Sequence, residues 1–160
     1  MSITSYNSKL HGYIHEAPDA LRRLLDAPPD LAQFDTVWKA HGPRRVIITG
    51  SGTSLFAAEI AARLWQDETG LDARAIGALD FLERVEALGI GPDTLVIAIS
   101  QTGATNVLVE GARRAGELGA LVLACTADSA SPLAHAAVLT LDSRTGEEKT
   151  PGKTKGFVTT

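Results

Sequence analysis

The chain has 160 residues, 44% of them hydrophobic and 21% charged, and a formal net charge of −4. This composition is typical of a soluble domain with one sizeable core, and the acidic balance, with no run of Lys and Arg, excludes a binder of nucleic-acid backbones. No stretch reaches the ~20 apolar residues of a membrane span, and the N-terminal segment lacks the basic start and apolar core of a signal peptide. We therefore expect a cytoplasmic protein with no nucleic-acid partner and no membrane partner.

The predicted elements are helical at first and then alternate apolar β-branched runs with longer Ala-rich amphipathic segments, which is typical of an α/β fold. The first helix is predicted over 17–28, with Pro18 at its first position, and the second over about 30–40. Strands are predicted over 44–49, 71–76, 93–99, 120–126 and 136–141. Further helices are predicted over 54–68, 78–88 and 104–119, and a last one begins near residue 154.

Two of the predicted strands contain the runs VIIT and LVIAI, which are apolar without alternation. Such runs are expected of parallel strands that helices cover on both faces. The sequence therefore predicts an α/β domain over 41–160 with a doubly wound, five-stranded parallel sheet flanked by helices. An N-terminal helical arm over 1–40 precedes it.

Polar turns rich in small residues follow two of the strands, GSGTS at 50–54 and SQTGAT at 100–105. In open parallel sheets ligands bind beyond the carboxyl ends of the strands, and the start of a helix there offers unpaired N–H groups to an anion. Hydroxyl and amide groups in such a turn add further hydrogen-bond donors. The second turn is therefore predicted to hold a phosphate through Ser100, Gln101, Thr102 and Thr105.

A simpler explanation of both turns is that their Ser, Thr and Gly residues only cap the helices that follow. For either turn alone, capping and ligand binding explain the residues about equally well. Two such turns after strands of one sheet favour a pocket, because the helix N-termini would then converge on one crevice.

Two nucleotide-binding motifs are matched only in part. Gly50 and Gly52 begin a dinucleotide fingerprint, but its third glycine would fall at Leu55, and the acidic residue Asp72 opens the second strand instead of closing it. The segment GEEKTPGKT is similar to a phosphate-binding P-loop, yet five residues separate its glycines where the motif has four. Neither motif therefore predicts a nucleotide cofactor.

Cysteine and histidine give no sign of a disulfide framework or a metal site. Cys125 is the only cysteine and lies inside the apolar run GALVLACT, so its thiol is expected to fill the core and not to act as a nucleophile. The histidines are scattered and match no cluster of metal ligands. They are His11, His15, His41 and His135.

Three segments, taken together, resemble the sugar isomerase (SIS) domain family over roughly residues 41–160. They are ITGSGTS at 48–54, the stretch from AISQTGATNV at 98–107 to LACT at 123–126, and SPLAHAAVLTLDSRTGEEKTPGKTKGFVTT at 131–160. The chain is most similar to the first of the two SIS domains in the isomerase half of glucosamine-6-phosphate synthase and in related phosphosugar isomerases. The resemblance implies the flavodoxin-like, three-layer SIS fold.

The resemblance also implies roles for particular residues. Ser100, Gln101, Thr102 and Thr105 match the family's phosphate-binding motif, and Gly52, Thr53 and Ser54 match the turn that lines the sugar. Glu148 and Lys155 fall where the family has a Glu and a Lys, and they are the candidate catalytic residues. Lys153 departs from the synthase, which has a small hydroxyl residue there. Either Lys155 or Lys153 is expected to be the electrostatic partner of Glu148. No metal and no cofactor are implied.

The resemblance implies a phosphosugar-binding domain of an aldose–ketose isomerase or of an amino-sugar-phosphate isomerase or deaminase. Isomerisation needs a base near C1 and C2 of the sugar. We expect Glu148 to order the sugar end of the pocket instead of acting as that base; the alternative is that it belongs to a solvated loop with Glu147 and the nearby lysines. A phosphosugar-sensing regulatory domain is the other functional class, although residues 1–40 contain no convincing helix-turn-helix.

The family further implies a homodimer and a longer protein. SIS domains usually pair, with sites completed near the partner. In the double-domain relatives the catalytic glutamate belongs to a second SIS domain, which this chain does not contain. The segment TKGFVTT at 154–160 also resembles a helix that has barely begun. We therefore expect the chain to be part of a longer protein.

Overall fold

A computed structural model describes residues 3–29, 31–146, 148–150 and 153–159, with side chains from residue 9 onward. The strands are β1 (Arg45–Gly50), β2 (Asp72–Gly77), β3 (Thr94–Ile99), β4 (Leu121–Thr126) and β5 (Leu139–Asp142). The helices are α1 (Ile3–Asp26), α2 (Ala32–His41), α3 (Thr53–Thr69), α4 (Ala78–Arg84), α5 (Asn106–Glu117), α6 (Pro132–His135) and α7 (Lys155–Thr159). None of the helices in these ranges is long and apolar enough to cross a bilayer.

The five strands form one sheet in the order β2-β1-β3-β4-β5, and every neighbouring pair is parallel. This is the strand order of doubly wound flavodoxin-like folds. The predicted five-stranded parallel sheet is therefore confirmed. Its strand order places β1 next to β3, although β2 lies between them in sequence.

Helices cover both faces of the sheet because successive strand residues point to opposite sides. On one face, Ile47 and Val96 pack with α4 and α5 in a buried cluster that contains Phe81 and Leu108. On the other face, the cluster of buried strand residues packs with α3 and α2. It includes Val46, Ile48, Leu95, Leu121 and Leu123. The strands are thus apolar on both sides, as the unbroken VIIT and LVIAI runs predict.

The last strand and the helix after β2 are shorter than the sequence predicts. The strand predicted over 136–141 begins only at Leu139, and the short helix α6 precedes it. Ser131 caps α6, since its Oγ accepts a hydrogen bond from the N–H of Ala134 at 3.3 Å, and Pro132 occupies the first turn. This combination favours a helix start. The helix predicted over 78–88 also ends earlier, at Arg84.

The predicted position of Pro18 at the start of the first helix is wrong. Pro18 lies inside α1, which begins at Ile3. An interior proline removes one backbone hydrogen bond. The turn before Pro18, however, contacts the C-terminal part of the chain: Glu16 pairs with Lys155. In addition, Tyr13 Oη accepts a hydrogen bond from the N–H of Lys149 at 3.2 Å. These tertiary contacts stabilise the helix on the N-terminal side of the proline. The domain boundary between residues 40 and 41 stays a prediction.

Candidate functional site

The candidate site lies at the carboxyl edge of the sheet, where β1 and β3 end side by side. Gly50 at the end of β1 pairs with Ile99 at the end of β3, so the turns that follow the two strands start next to each other. The chain continues from β1 to β2 on one side and from β3 to β4 on the other. Crossovers that diverge in this way leave a crevice between them, which is where such sheets bind ligands.

The turn after β1 is held tightly against the start of α3. The N–H of Ser54 donates to the carbonyl of Ser51 at 3.2 Å, and the N–H of Leu55 donates to the carbonyl of Gly52 at 3.0 Å. A Cβ atom on Gly50 would lie 2.8 Å from Cβ of Ser54, which is too close for any other residue. The glycine therefore lets the first turn of α3 approach the end of the strand.

The turn after β3 is organised by hydrogen bonds among its own hydroxyl groups. Ser100 is buried, with 6% of its surface exposed. Its Oγ lies 3.2 Å from Oγ1 of Thr105 and accepts a hydrogen bond from the N–H of Gly103 at 3.2 Å. Gly103 has φ +61, and a Cβ there would overlap the side chain of Ser131. A left-handed backbone in contact with a neighbouring segment requires glycine at this position.

The capping explanation fails at the residues that precede α3 and α5. The N-cap of α3 is Gly52, which has no side chain, and the N-cap of α5 is Thr105, whose hydroxyl makes no cap hydrogen bond. Thr105 interacts with Ser100 instead. The hydroxyl groups of Ser100 and Thr105 thus contact each other and do not cap α5, which leaves that helix end able to bind an anion.

One pocket of ≈ 340 Å³ joins the two turns. Its volume is at the lower end of the range for small-ligand sites. Its lining contains all the residues predicted to bind phosphate or sugar, together with two more. The lining residues are Ser51, Gly52, Thr53, Ser54, Ser100, Gln101, Thr102, Thr105 and Lys153. Among these residues Lys153 is the only charged one, so the pocket carries a positive charge and no carboxylate.

Gln101 is fixed at its backbone but has an unpartnered side-chain oxygen. Its carbonyl accepts hydrogen bonds from the N–H of Ala127 at 3.0 Å and from Oγ1 of Thr126 at 3.1 Å. Its Oε1 is buried and has no hydrogen-bond partner among the described residues. A buried polar atom without a partner is costly, and because this oxygen is an acceptor, it suits a ligand hydroxyl group that donates to it, whereas a phosphate would have to accept from the amide N–H groups of Gln101.

Glu148 is buried, with 5% of its surface exposed, and its carboxylate closes the loop that leads into α7. Oε1 accepts hydrogen bonds from the N–H and from Oγ1 of Thr154, both at 2.7 Å, and Oε2 accepts one from the N–H of Gly156 at 3.0 Å. Glu148 also lines a cleft of ≈ 380 Å³ that includes Gln101 and Thr102. It therefore lies beside the predicted phosphate site with its carboxylate buried and hydrogen-bonded, and not in a solvated loop. Glu147 lies outside the described residues.

Lys155 faces α1 and is not among the residues that line the pocket. Its Nζ lies 2.5 Å from Oε2 of Glu16, its side chain is 4% exposed, and it stands 4.8 Å from the centroid of the Tyr13 ring. These contacts fix α7 against α1. A catalytic role for Lys155 stays a prediction, while its observed contacts are those of an ion pair between two helices.

None of the cysteine and histidine residues is among those that line the pocket. Cys125 lines an apolar cavity of ≈ 260 Å³ between α2, α3 and the sheet. Burial and, to a lesser extent, the nearby Asp142 together raise the pKa of its thiol to about 11, so the thiol is not activated. His11 and His15 contact each other on α1, with ring nitrogens 3.2 Å apart. Within the described ranges no three His, Cys, Asp or Glu side chains gather as metal ligands do.

Sequence reasoning did not assign two residues of the pocket. Ser51 lies within the GSGTS turn and could have been included, because every residue of that turn follows the strand end. The sequence singles out Lys153 as a departure from the family pattern and as one of two candidate electrostatic partners of Glu148, but it does not predict that Lys153 lines the phosphate pocket. It reaches the pocket from the loop after β5, a long-range placement that local sequence patterns do not contain.

The SIS domain family model matches residues 41–160. The glutamine–fructose-6-phosphate aminotransferase (isomerizing) of Pseudomonas syringae is 33% identical over 156 residues, covering 91% of this chain and 25% of the relative. The enzyme of the same name from Sulfolobus acidocaldarius is 30% identical over 150 residues, covering 91% and 24%. The chain thus spans about a quarter of the length of the curated relatives it matches.

Solved structures show the same fold. A candidate phosphosugar isomerase from Silicibacter pomeroyi superimposes with a TM-score of 0.79 at 30% identity, over 94% of this chain and 46% of that one. The C-terminal domain of glucosamine-fructose-6-phosphate aminotransferase from Francisella tularensis gives a TM-score of 0.84 at 19% identity, over 99% and 46%. At that low identity, the second likeness concerns the fold alone.

Proposed function

The chain belongs to the SIS domain family, and from this premise we propose that its pocket binds the phosphate end of a phosphosugar within an isomerising enzyme. The observation that carries the proposal is the convergence of two hydroxyl-rich turns on one pocket that contains a lysine and no carboxylate. Such a lining offers hydrogen-bond donors and positive charge, which suit a phosphate group.

The two turns have different roles in this proposal. The hydroxyl groups of Ser100, Thr102 and Thr105, the amide of Gln101 and the N-terminal end of α5 hold the phosphate. The turn formed by Gly52, Thr53 and Ser54 lines the sugar hydroxyl groups. Fixing the phosphate end of the substrate keeps the carbons that react in register, so that binding energy aids positioning.

The chemistry proposed for the whole protein is aldose–ketose isomerisation of a phosphosugar, or isomerisation or deamination of an amino-sugar phosphate. Proton transfer between C1 and C2 requires a base near these carbons and donors for the developing oxyanion. Both carboxylate oxygens of Glu148 already accept hydrogen bonds from Thr154 and Gly156. We therefore assign Glu148 to ordering the loop beside the phosphate turn, where it lies next to Gln101 and Thr102 and not at the expected sugar end, and we expect the base to come from outside this chain.

An enzyme is favoured over a phosphosugar sensor because the curated relatives reported above carry the names of aminotransferases that isomerise.

We further propose a cytoplasmic homodimer without nucleic-acid or membrane partners. Helix α3 supports the dimer, since three large apolar side chains repeat along one stripe and are each more than half exposed. They are Phe56, Ile60 and Leu64. A monomer in sedimentation equilibrium of the full-length protein would contradict the dimer.

Calorimetric titration tests the binding proposal. The full-length protein is titrated with fructose 6-phosphate, glucosamine 6-phosphate and free fructose, and the titration is repeated on Thr102→Val. We expect the phosphosugars to bind, free fructose not to bind, and Thr102→Val to weaken binding at least about tenfold, since a hydrogen bond to a charged group is lost. Thr36→Val is the matched control, because it removes an exposed hydroxyl on α2. Equal binding of free fructose, or unchanged binding by Thr102→Val, would refute the proposal.

A further inference from the structure

Lys153 stands between the loop that follows β5 and the start of α7, and its position is set by one short hydrogen bond. Its Nζ donates to the backbone carbonyl of Glu148 at 2.6 Å. The side chain is partly buried and lines the pocket together with the turns after β1 and β3. The hydrogen bond thus holds the ammonium group near the turns after β1 and β3.

The charge of Lys153 is not balanced within the described part of the chain. No described carboxylate lies within ion-pair distance of it, whereas Lys155 pairs with Glu16 and Lys39 pairs with Asp35. An ammonium group has three N–H donors, and the hydrogen bond to Glu148 uses one of them. The other residues that line the pocket are uncharged. Lys153 therefore has both a charge and donors to offer to a ligand.

We propose that Lys153 supplies the counter-charge for the phosphate and so selects dianionic ligands over neutral or singly charged ones. This inference rests on the proposed function, since it concerns the same pocket. A phosphate monoester carries a charge of about −1.5 to −2 at neutral pH, and hydroxyl donors alone leave that charge uncompensated. A charge-assisted hydrogen bond from an ammonium group is about twice as strong as a neutral one, and it weakens as salt screens the charges.

The test compares three variants of the full-length protein by titration with fructose 6-phosphate. Lys153→Gln removes the charge and keeps a polar side chain of similar length, and Lys153→Arg keeps the charge. Lys39→Gln is the matched control: it removes an exposed lysine on α2, which leads into the opposite end of β1. We expect Lys153→Gln to weaken binding about tenfold to a hundredfold, equivalent to about 1.4–2.8 kcal/mol. Lys153→Arg and Lys39→Gln should stay within about threefold of the wild type.

A salt titration separates a charge effect from a structural one, because Lys153 also holds the carbonyl of Glu148. Raising NaCl from about 50 mM to about 500 mM should weaken binding by the wild type, and it should weaken binding by Lys153→Gln much less. Loss of loop order alone would lower the affinity without changing the salt dependence. That outcome, or binding by Lys153→Gln within about twofold of the wild type, would overturn the inference.

The same experiment distinguishes this inference from the proposed function. If Thr102→Val abolishes binding while Lys153→Gln does not change it, the pocket binds phosphate without Lys153, and only the inference fails. If the wild type binds neither phosphosugar, the proposed function fails and the inference fails with it.

Discussion

Substituting Glu148 with Gln removes one acceptor oxygen from a buried cluster without changing the size of the side chain. The carboxylate accepts three hydrogen bonds, two from Thr154 and one from Gly156. An amide has only one acceptor oxygen, so in either orientation its NH₂ group faces a backbone N–H donor. At least one hydrogen bond to a charged acceptor is lost, and a donor is left without a partner. With about 1.5–3 kcal/mol for each such bond, we expect the free energy of unfolding to fall by about 2–4 kcal/mol.

Urea unfolding measures this change through tryptophan fluorescence, because Trp38 and Trp65 lie in contact in the cluster between α2 and α3, with ring centroids 5.6 Å apart. Glu68→Gln is the control: it makes the same chemical change at an exposed position of α3 and should alter stability by less than about 0.5 kcal/mol. The reasoning is refuted if Glu148→Gln unfolds within about 0.5 kcal/mol of the wild type. Glu148 would then not be ordering the loop.

The remaining three predictions concern two buried groups outside the pocket. The hydroxyl of Thr49 is fully buried and has no hydrogen-bond partner among the described residues. Thr49→Val should therefore raise the free energy of unfolding, measured by urea titration, by about 1 kcal/mol. A decrease in that free energy would contradict the prediction. The pKa of Cys125 is raised to about 11, so little of its thiol is ionised at about pH 9. Iodoacetamide should therefore react much more slowly with the folded protein than with the urea-unfolded protein at that pH. Equal rates of reaction would contradict this prediction. Because the unfolded thiol loses its proton first, at about pH 8.5, stability should be unaffected below that pH and should fall as the pH rises towards 11.

Much of the fold could be predicted from local sequence patterns. The VIIT and LVIAI runs predict buried parallel strands because helices on both faces leave no strand side chain in solvent. The helix α1 was predicted too short, because Pro18 is a strong local signal of a helix start and the contacts made by Tyr13 and Glu16 are not local. Tertiary packing outweighs local preference when it stabilises more than the proline costs.

The candidate site could be predicted in part. Both turns were placed at the carboxyl ends of their strands, and their hydroxyl groups identified them as possible anion ligands. Whether these hydroxyl groups capped helices or remained for a ligand could not be decided, because the two arrangements use the same residues. The structure shows that Thr105 contacts Ser100 and does not cap α5, while ligand binding by these hydroxyl groups stays a prediction.

The sequence by itself determined the alternation of strands and helices and the two polar turns, because these depend on the periodicity and turn chemistry of neighbouring residues. Tertiary structure alone decided that β1 lies beside β3, which brings the two turns into one pocket. It also decided where the side chains of three charged residues in one loop region lie. Glu148 closes the loop, Lys153 enters the pocket and Lys155 turns to α1. Residues this close in sequence make different contacts because each side chain is positioned by partners from distant parts of the chain or by the path of the loop. A local sequence pattern predicts neither of these.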